Sequence, residues 1–196
     1  MKRIIAVVTS ACIVSIAGTA AAQTSVQMDD AARTANSRAA VKALAEDLKA
    51  RLVEALKTGG PVAGIAACNK AAQPATADIS KAQGLTIKRT ALRVRNPLNA
   101  ASPREQVVLR SFAEKIKAGA DVAALEHTET VKEGDAETFV YMKAIPMAGD
   151  PCQACHGTEV KPEVKAEIGK LYPKDEATGF TPGELRGAFV VTQKIK

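Results

Sequence analysis

Two cysteines and a histidine stand close together in the string Cys152-Gln153-Ala154-Cys155-His156. Thiols three residues apart can form thioether bonds to the two vinyl groups of one haem, and an imidazole directly after them can ligate the haem iron. The pattern therefore predicts one covalently attached haem (haem c), held through Cys152 and Cys155, with His156 as an iron ligand.

Three other chemistries use a cysteine pair at this spacing. A thioredoxin-like thiol exchanger would place the pair among alternating strands and helices, a pattern that the surrounding sequence lacks. A structural zinc site needs four ligands, and only Cys68 and His127 remain as supplements. A simple disulfide between Cys152 and Cys155 needs no histidine. The adjacent His156 favours haem over these alternatives.

The N-terminal segment has the three parts of an export signal. Lys2 and Arg3 form a positive start, residues 4–17 are apolar or small, and Ala20-Ala21-Ala22 provides a cleavage site. We expect residues 1–22 to be removed on export to the periplasm, which leaves no stable membrane span. An uncleaved anchor is the alternative, because the apolar run of about 19 residues is near the lower limit for a bilayer span.

The remaining residues, 23–196, are enough for one domain with a sizeable core. The signal carries two of the 27 basic residues and none of the 21 acidic ones, so the net charge after cleavage is +4. A nucleic-acid-binding protein would show basic clusters interleaved with aromatic residues, and this chain has only six aromatic residues. We therefore expect no nucleic-acid partner.

One cysteine is left over after cleavage and haem attachment. A long amphipathic helix is predicted over residues 29–56, and Gly59-Gly60 ends it before Pro61 starts a second helix. On that second helix Cys68 shares a face with apolar residues at steps of three and four. We expect Cys68 to point inward, with the helix running as far as Pro74 allows.

The rest of the chain predicts strands and shorter helices. Residues 85–94 are strand-like, with a slip in the alternation that indicates a bulge or turn. Ser102-Pro103-Arg104-Glu105 is a capping box that starts a helix ending at Gly119. Residues 124–133 and 137–146 predict a hairpin around Gly134-Asp135. A short helix over residues 162–171 and a last strand over residues 187–195 follow.

These elements predict one α+β domain, with helices packed on an antiparallel sheet. The predicted strand over residues 137–146 is partly apolar on both faces. This favours helices on one face and a large apolar ligand on the other.

A haem needs apolar walls, partners for its propionates and a ligand for the sixth position of its iron. Aromatic residues that flank the motif, Tyr172 and Phe180 among them, are candidates for the wall. The guanidinium groups of Arg89, Arg93, Arg95 and Arg186 are candidates for the propionates. The candidates for the sixth ligand are Cys68, His127, Met142 and Met147.

The chain also resembles a known family in an ordered series of motifs. The series comprises Cys68 in Ala-Ala-Cys-Asn-Lys-Ala-Ala, the run Arg89 to Asn99, Glu105, the haem motif, the run Tyr172 to Phe180, and Arg186-Gly187-Ala188. It is similar to the haem-c domains with a PAS-like fold, which occur as soluble exported proteins and as extracytoplasmic sensor domains. The resemblance covers nearly all of residues 23–196.

The resemblance implies a single haem docked on a PAS-like antiparallel sheet, with His156 as one axial ligand and Cys68 as the other. A thiolate ligand favours ferric iron and a low reduction potential. A redox or small-gas sensor, with a diatomic gas as a candidate ligand and a separate signalling partner, is therefore the leading function. A soluble periplasmic electron-transfer cytochrome with a separate redox partner is the alternative. A haem enzyme is the least favoured, because no catalytic acid or base stands out.

Overall fold

The computed structural model describes residues 28–196, so the predicted export signal lies outside the described part of the chain. Four antiparallel strands form one sheet in the order β1-β4-β3-β2, and helices cover both of its faces. The predicted α+β class is confirmed. Within the described residues, no helix combines the length and apolar character that crossing a bilayer requires.

The longest element, α1 (Asp30–Gln83), folds back on itself as a helical hairpin. Asp29 caps its start by accepting a 2.7 Å hydrogen bond from the Ala32 N–H. The helical backbone is interrupted at Gly59 and Gly60, and Gly60 has a φ of 65°. A left-handed conformation of this kind favours glycine, so the two glycines form the turn between arms at residues 30–58 and 61–83.

The second arm continues past Pro74, where the sequence favoured an end. It runs on to Gln83, and Gly84 closes it in the left-handed conformation. Ala72 and Ala75 are buried on either side of the proline. Their packing against the core offsets the backbone hydrogen bond that proline cannot donate.

The strands of the sheet are β1 (Thr86–Thr90), β2 (Glu126–Glu133), β3 (Ala136–Pro146) and β4 (Leu185–Lys194). The hairpin of β2 and β3 turns at Gly134 and Asp135, as predicted, with Glu133 opposite Ala136. The strand expected over residues 85–94 ends earlier, at Thr90. The slip in its alternation marks this end, and a single bridge between Ala91 and Ala100 follows.

Both faces of β3 are covered by helices. Phe139 and Tyr141 belong to the cluster packed against the first arm of α1. Val140 and Met142 belong to the cluster on the opposite face, which includes residues of α2 (Pro103–Lys117). The expectation that helices cover one face only is therefore wrong, because Phe112 and its neighbours on α2 pack against the second face.

Glu105 fixes the start of α2 to the sheet. It completes the predicted capping box with Ser102, accepts a 3.0 Å hydrogen bond from the Thr90 hydroxyl, and forms a 2.7 Å ion pair with Lys88. Burial opposes ionisation of the carboxyl, but hydrogen bonds from Lys88 and Ser102 outweigh it and lower the pKa of Glu105. These contacts hold the start of α2 beside β1.

Two short helices complete the fold after β3. The single turn α3 (Gln153–His156) carries the cysteine motif, and α4 (Pro162–Leu171) follows with the predicted bounds. Ile65 on the second arm of α1 packs in one cluster with Val164 and Ile168 of α4. The motif is therefore held between the helical hairpin and α4, beside the sheet.

Candidate haem site

The two motif cysteines lie one helical turn apart and contact different apolar clusters. Cys155 is 8% exposed and shares a cluster with Ile65 of α1 and Tyr172. Cys152 is half-buried and packs beside Phe180. Both are free thiols. Residues three apart on a helical turn point to the same side, so the two thiols can reach one ligand.

His156 has a fixed ring orientation. Its Nδ1 lies 2.6 Å from the carbonyl oxygen of Ala177. A carbonyl can only accept, so Nδ1 carries the proton and Nε2 keeps a lone pair. Burial, together with the nearby cations Arg186 and Arg95, lowers the pKa of His156 to about 3. The imidazole is therefore neutral at physiological pH, the form that ligates metal ions.

Residues 172–180 form a loop that closes over the end of the motif. Phe180 N–H donates to the carbonyl of His156 at 3.0 Å, and Gly179 N–H donates to the carbonyl of Gly157 at 2.8 Å. A Cβ at Gly157 would lie 2.7 Å from the carbonyl of Gln153, which leaves no room for a larger residue there. The glycine after His156 thus allows the loop to pair closely with the motif.

Arg95 ties this loop to the motif from the other side. Its Nη2 donates to the carbonyls of Cys155 at 2.6 Å and Ala177 at 3.2 Å. Its Nε forms a 2.9 Å ion pair with Asp175, and both side chains are about nine-tenths buried. Arg95 was predicted as a propionate partner. In the structure its Nε and Nη2 bind groups of the protein, and the propionate contact stays a prediction.

Arg93 and Arg186 flank the ring of Phe180. The guanidinium of Arg93 lies 4.2 Å from the ring centroid and donates to the carbonyls of Glu176 and Thr178. The Arg186 guanidinium lies 5.3 Å from the same centroid, and its Nε is buried without a hydrogen-bond partner among the described residues. Burial and the neighbouring arginines lower the pKa of Arg186 to about 10.

Arg89 and Cys68 face the same region from β1 and α1. Burial lowers the pKa of Arg89, and the nearby Cys68 opposes that shift. Cys68 is exposed and not buried in the core as predicted, because Ile65 and Ala72 take the core positions of its arm. Partial desolvation raises the pKa of the Cys68 thiol, while Arg89 and Arg95 oppose the change.

The other candidates for a sixth ligand lie elsewhere or are enclosed. His127 is on β2 opposite Met142, with its Nε2 3.6 Å from Glu129. Met142 is buried in the cluster under α2, on the far face of the sheet. Met147 is 2% exposed beside Cys152. Cys68 lies close enough to Cys155 to raise the pKa of that thiol.

The alternative metal chemistry finds no support in this geometry. Nowhere between residues 28 and 196 do three or more His, Cys, Asp or Glu side chains gather as metal ligands. The zinc alternative required Cys68 and His127 together at the motif, and His127 is on the strand at the other edge of the sheet from β1.

Two residues that shape the site were not predicted as site residues. Asp175 fixes Arg95, and Ala177 supplies the carbonyl that orients His156. Both lie within the run Tyr172 to Phe180 that contributed to the family resemblance. The role of Ala177 comes from its backbone, so no side-chain signal in the sequence could have indicated it.

Comparisons with known proteins agree with the resemblance found in the sequence. The model of a family described as Tll0287-like matches residues 15–193. The crystal structure of the cyanobacterial heme-protein Tll0287 is similar at 25% sequence identity and a TM-score of 0.60. The match covers 85% of this chain and 97% of that one. No curated protein matches the chain at a significant level.

Proposed function

Because the chain belongs to the Tll0287-like family, we propose that it is a haem protein that carries one haem c attached through Cys152 and Cys155. The observation that carries this proposal is the state of His156, whose neutral imidazole keeps Nε2 available while Nδ1 is held by Ala177. Metal-ligating histidines usually have the second ring nitrogen fixed in this way.

The charges around the motif support the same cofactor. Four guanidinium groups, those of Arg89, Arg93, Arg95 and Arg186, surround the site, and Asp175 is the one carboxylate that pairs with any of them there. The two propionates of a haem would balance part of this excess. Arg89 and Arg186 are the better partners. Within residues 28–196, Arg186 donates one 3.3 Å hydrogen bond to the carbonyl of Arg93 and leaves its buried Nε unpaired, whereas Arg93 and Arg95 each donate to two backbone carbonyls.

Cys68 is the proposed second axial ligand. It comes from the helical hairpin and not from the motif loop. It lies close enough to Arg89 and Cys155 for electrostatic interactions with both. Cations near a thiol favour the thiolate, the form that binds iron. Tyr172 and Phe180, both buried beside the motif cysteines, are the proposed aromatic walls.

Bound haem would supply one-electron redox chemistry, and a thiolate ligand would favour its ferric state. We propose that the protein senses redox state or a diatomic gas through a change at Cys68. Cys68 is exposed, so a ligand at this position can leave the iron and be replaced by a diatomic gas. A ligand held by the hairpin can transmit its release to a separate signalling partner.

Electron transfer to a separate redox partner is the second candidate function. The observation that favours it is the set of contacts around His156, since backbone hydrogen bonds and the buried Arg95–Asp175 pair hold this residue and the 172–180 loop in place. A site that does not rearrange between the ferric and ferrous states keeps the reorganisation energy of electron transfer low.

Carbon monoxide titration of the reduced protein separates the two functions. A sensor predicts rapid binding with displacement of the native sixth ligand, and Cys68→Ala should then bind faster still. Inertness to carbon monoxide, together with fast electron exchange, would contradict sensing and support a carrier.

The remaining proposals concern export, domain organisation and the type of sheet. We propose that residues 1–22 are cleaved on export, that residues 23–196 form one periplasmic domain, and that its sheet is PAS-like. The N-terminal sequence of the purified protein tests the first point, and a chain that begins at Gln23 is expected.

A further inference from the structure

The carbonyl oxygen of Ala177 accepts two hydrogen bonds from charged or potentially charged side chains. His156 Nδ1 lies 2.6 Å from it, and Arg95 Nη2 lies 3.2 Å from it. One backbone oxygen thus connects the proposed iron ligand to a guanidinium group.

Asp175 holds Arg95 and the backbone of Ala177 together. Its carboxylate pairs with Arg95 Nε at 2.9 Å, and the same Oδ1 atom accepts a 3.1 Å hydrogen bond from the Ala177 N–H. Arg95 Nη2 also reaches the carbonyl of Cys155 at 2.6 Å. The side chains of Arg95 and Asp175 are 10% and 9% exposed, so solvent screens the contact little.

A cation that shares an acceptor with an imidazole changes what the imidazole can donate. The guanidinium withdraws electron density from the Ala177 oxygen, which weakens the hydrogen bond that this oxygen accepts from His156. A weaker hydrogen bond leaves the imidazole a poorer donor to a metal, because the partner of the distal ring nitrogen sets ligand basicity. The positive charge itself also disfavours the ferric state.

We propose that Arg95 is a positioning residue that raises the reduction potential of the iron bound by His156. The inference rests on the proposed function, since it concerns the haem held by the motif. It assigns Arg95 a role different from a propionate contact.

Arg93 provides a control for the charge, with an exposed side chain where that of Arg95 is buried. It carries the same charge, lies in the same arginine cluster, and donates to two carbonyls of the 172–180 loop, those of Glu176 and Thr178. It makes no hydrogen bond to Ala177. Substitution of Arg93 therefore removes a charge and loop contacts, but it removes no donor to the shared oxygen.

The experiment compares the midpoint potentials of haem-loaded Arg95→Gln and Arg93→Gln by spectroelectrochemistry. We expect Arg95→Gln to shift the equilibrium toward ferric iron by about tenfold more than Arg93→Gln, or about 59 mV for one electron. The iron–histidine vibration of the reduced protein should move to higher frequency in Arg95→Gln alone. Equal shifts in the two variants would overturn the inference.

If Arg95→Gln does not fold, two lysine variants that keep the charge, Arg95→Lys and Arg93→Lys, test the same inference. Arg95→Lys keeps the charge but cannot span the three acceptors, so we expect its potential to fall below that of Arg93→Lys. Equal potentials in this pair would also overturn the inference. Wild-type protein that carries no haem would overturn the proposed function first, and this is seen before any potential is measured.

Discussion

The imidazole of His156 donates a 2.6 Å hydrogen bond from Nδ1 to the backbone carbonyl of Ala177, 21 residues further along the chain. This contact joins the haem motif to the 172–180 loop and leaves Nε2 directed away from that bond. The loop therefore belongs to the site as much as the motif does, although it contributes no proposed iron ligand.

The second axial position can be tested by substitution of Cys68. If its thiolate ligates the iron, Cys68→Ala should change the low-spin electron spin-resonance spectrum of the ferric protein. Met147→Leu is the control, because it keeps the volume of a buried side chain beside Cys152 and should leave the spectrum unchanged. An unchanged low-spin signal in Cys68→Ala would exclude this cysteine as the ligand.

Alanine should lower the stability of the protein at Gly60, in the turn of the helical hairpin, and raise it at Gly169, within α4. Gly60 has a φ of 65° and a ψ of −163°, a backbone region that is essentially restricted to glycine, so Gly60→Ala should cost about 1–3 kcal/mol. Gly169 lies within α4, and no atom would crowd an added Cβ there. Gly169→Ala should therefore stabilise the protein by up to about 1 kcal/mol. Urea unfolding measures both, and equal effects would contradict the assignment of the turn.

Acid sensitivity should depend on Glu126. Hydrogen bonding to Arg38 lowers the pKa of the Glu126 carboxyl to about 2, against burial. A carboxyl with a lowered folded-state pKa stabilises the protein above its unfolded pKa of about 4.3, and this stabilisation is lost as pH falls toward 2. Arg38 is largely exposed, so solvent screening limits the effect to about 1 kcal/mol.

Chemical unfolding at pH 6 and pH 2.5 checks this contribution. Glu126→Gln should lose about 1 kcal/mol at pH 6 and about a quarter of that at pH 2.5, where the folded-state carboxyl is partly protonated. A loss of equal size at both pH values would show that the carboxylate charge contributes nothing.

Features that depend on neighbouring residues could be predicted from the sequence. The capping box of Ser102 and Glu105 and the turn at Gly134 and Asp135 are local, so each is encoded within a few residues. The α+β class follows from these local elements. The three residues of the haem motif could be identified from their spacing alone.

Features that depend on contacts between residues far apart in the chain could not be predicted from the sequence. Arg95 pairs with Asp175, 80 residues away, and nothing near Arg95 distinguishes it from Arg93. The exposure of Cys68 follows from how the hairpin packs, because Ile65 of the same arm meets α4 and takes the core position. Helical periodicity alone places Cys68 and Ile65 on one face.

The attachment of one haem through Cys152 and Cys155 is the central claim, and haem staining after a denaturing gel tests it most directly. The wild-type protein should keep its stain, with an intact mass increased by one haem, and the Cys152→Ala/Cys155→Ala variant should lose it. Cys68→Ala is the control and should keep the stain, because this cysteine is proposed to bind iron without a covalent bond to the porphyrin. Loss of the wild-type stain on denaturation would contradict covalent attachment.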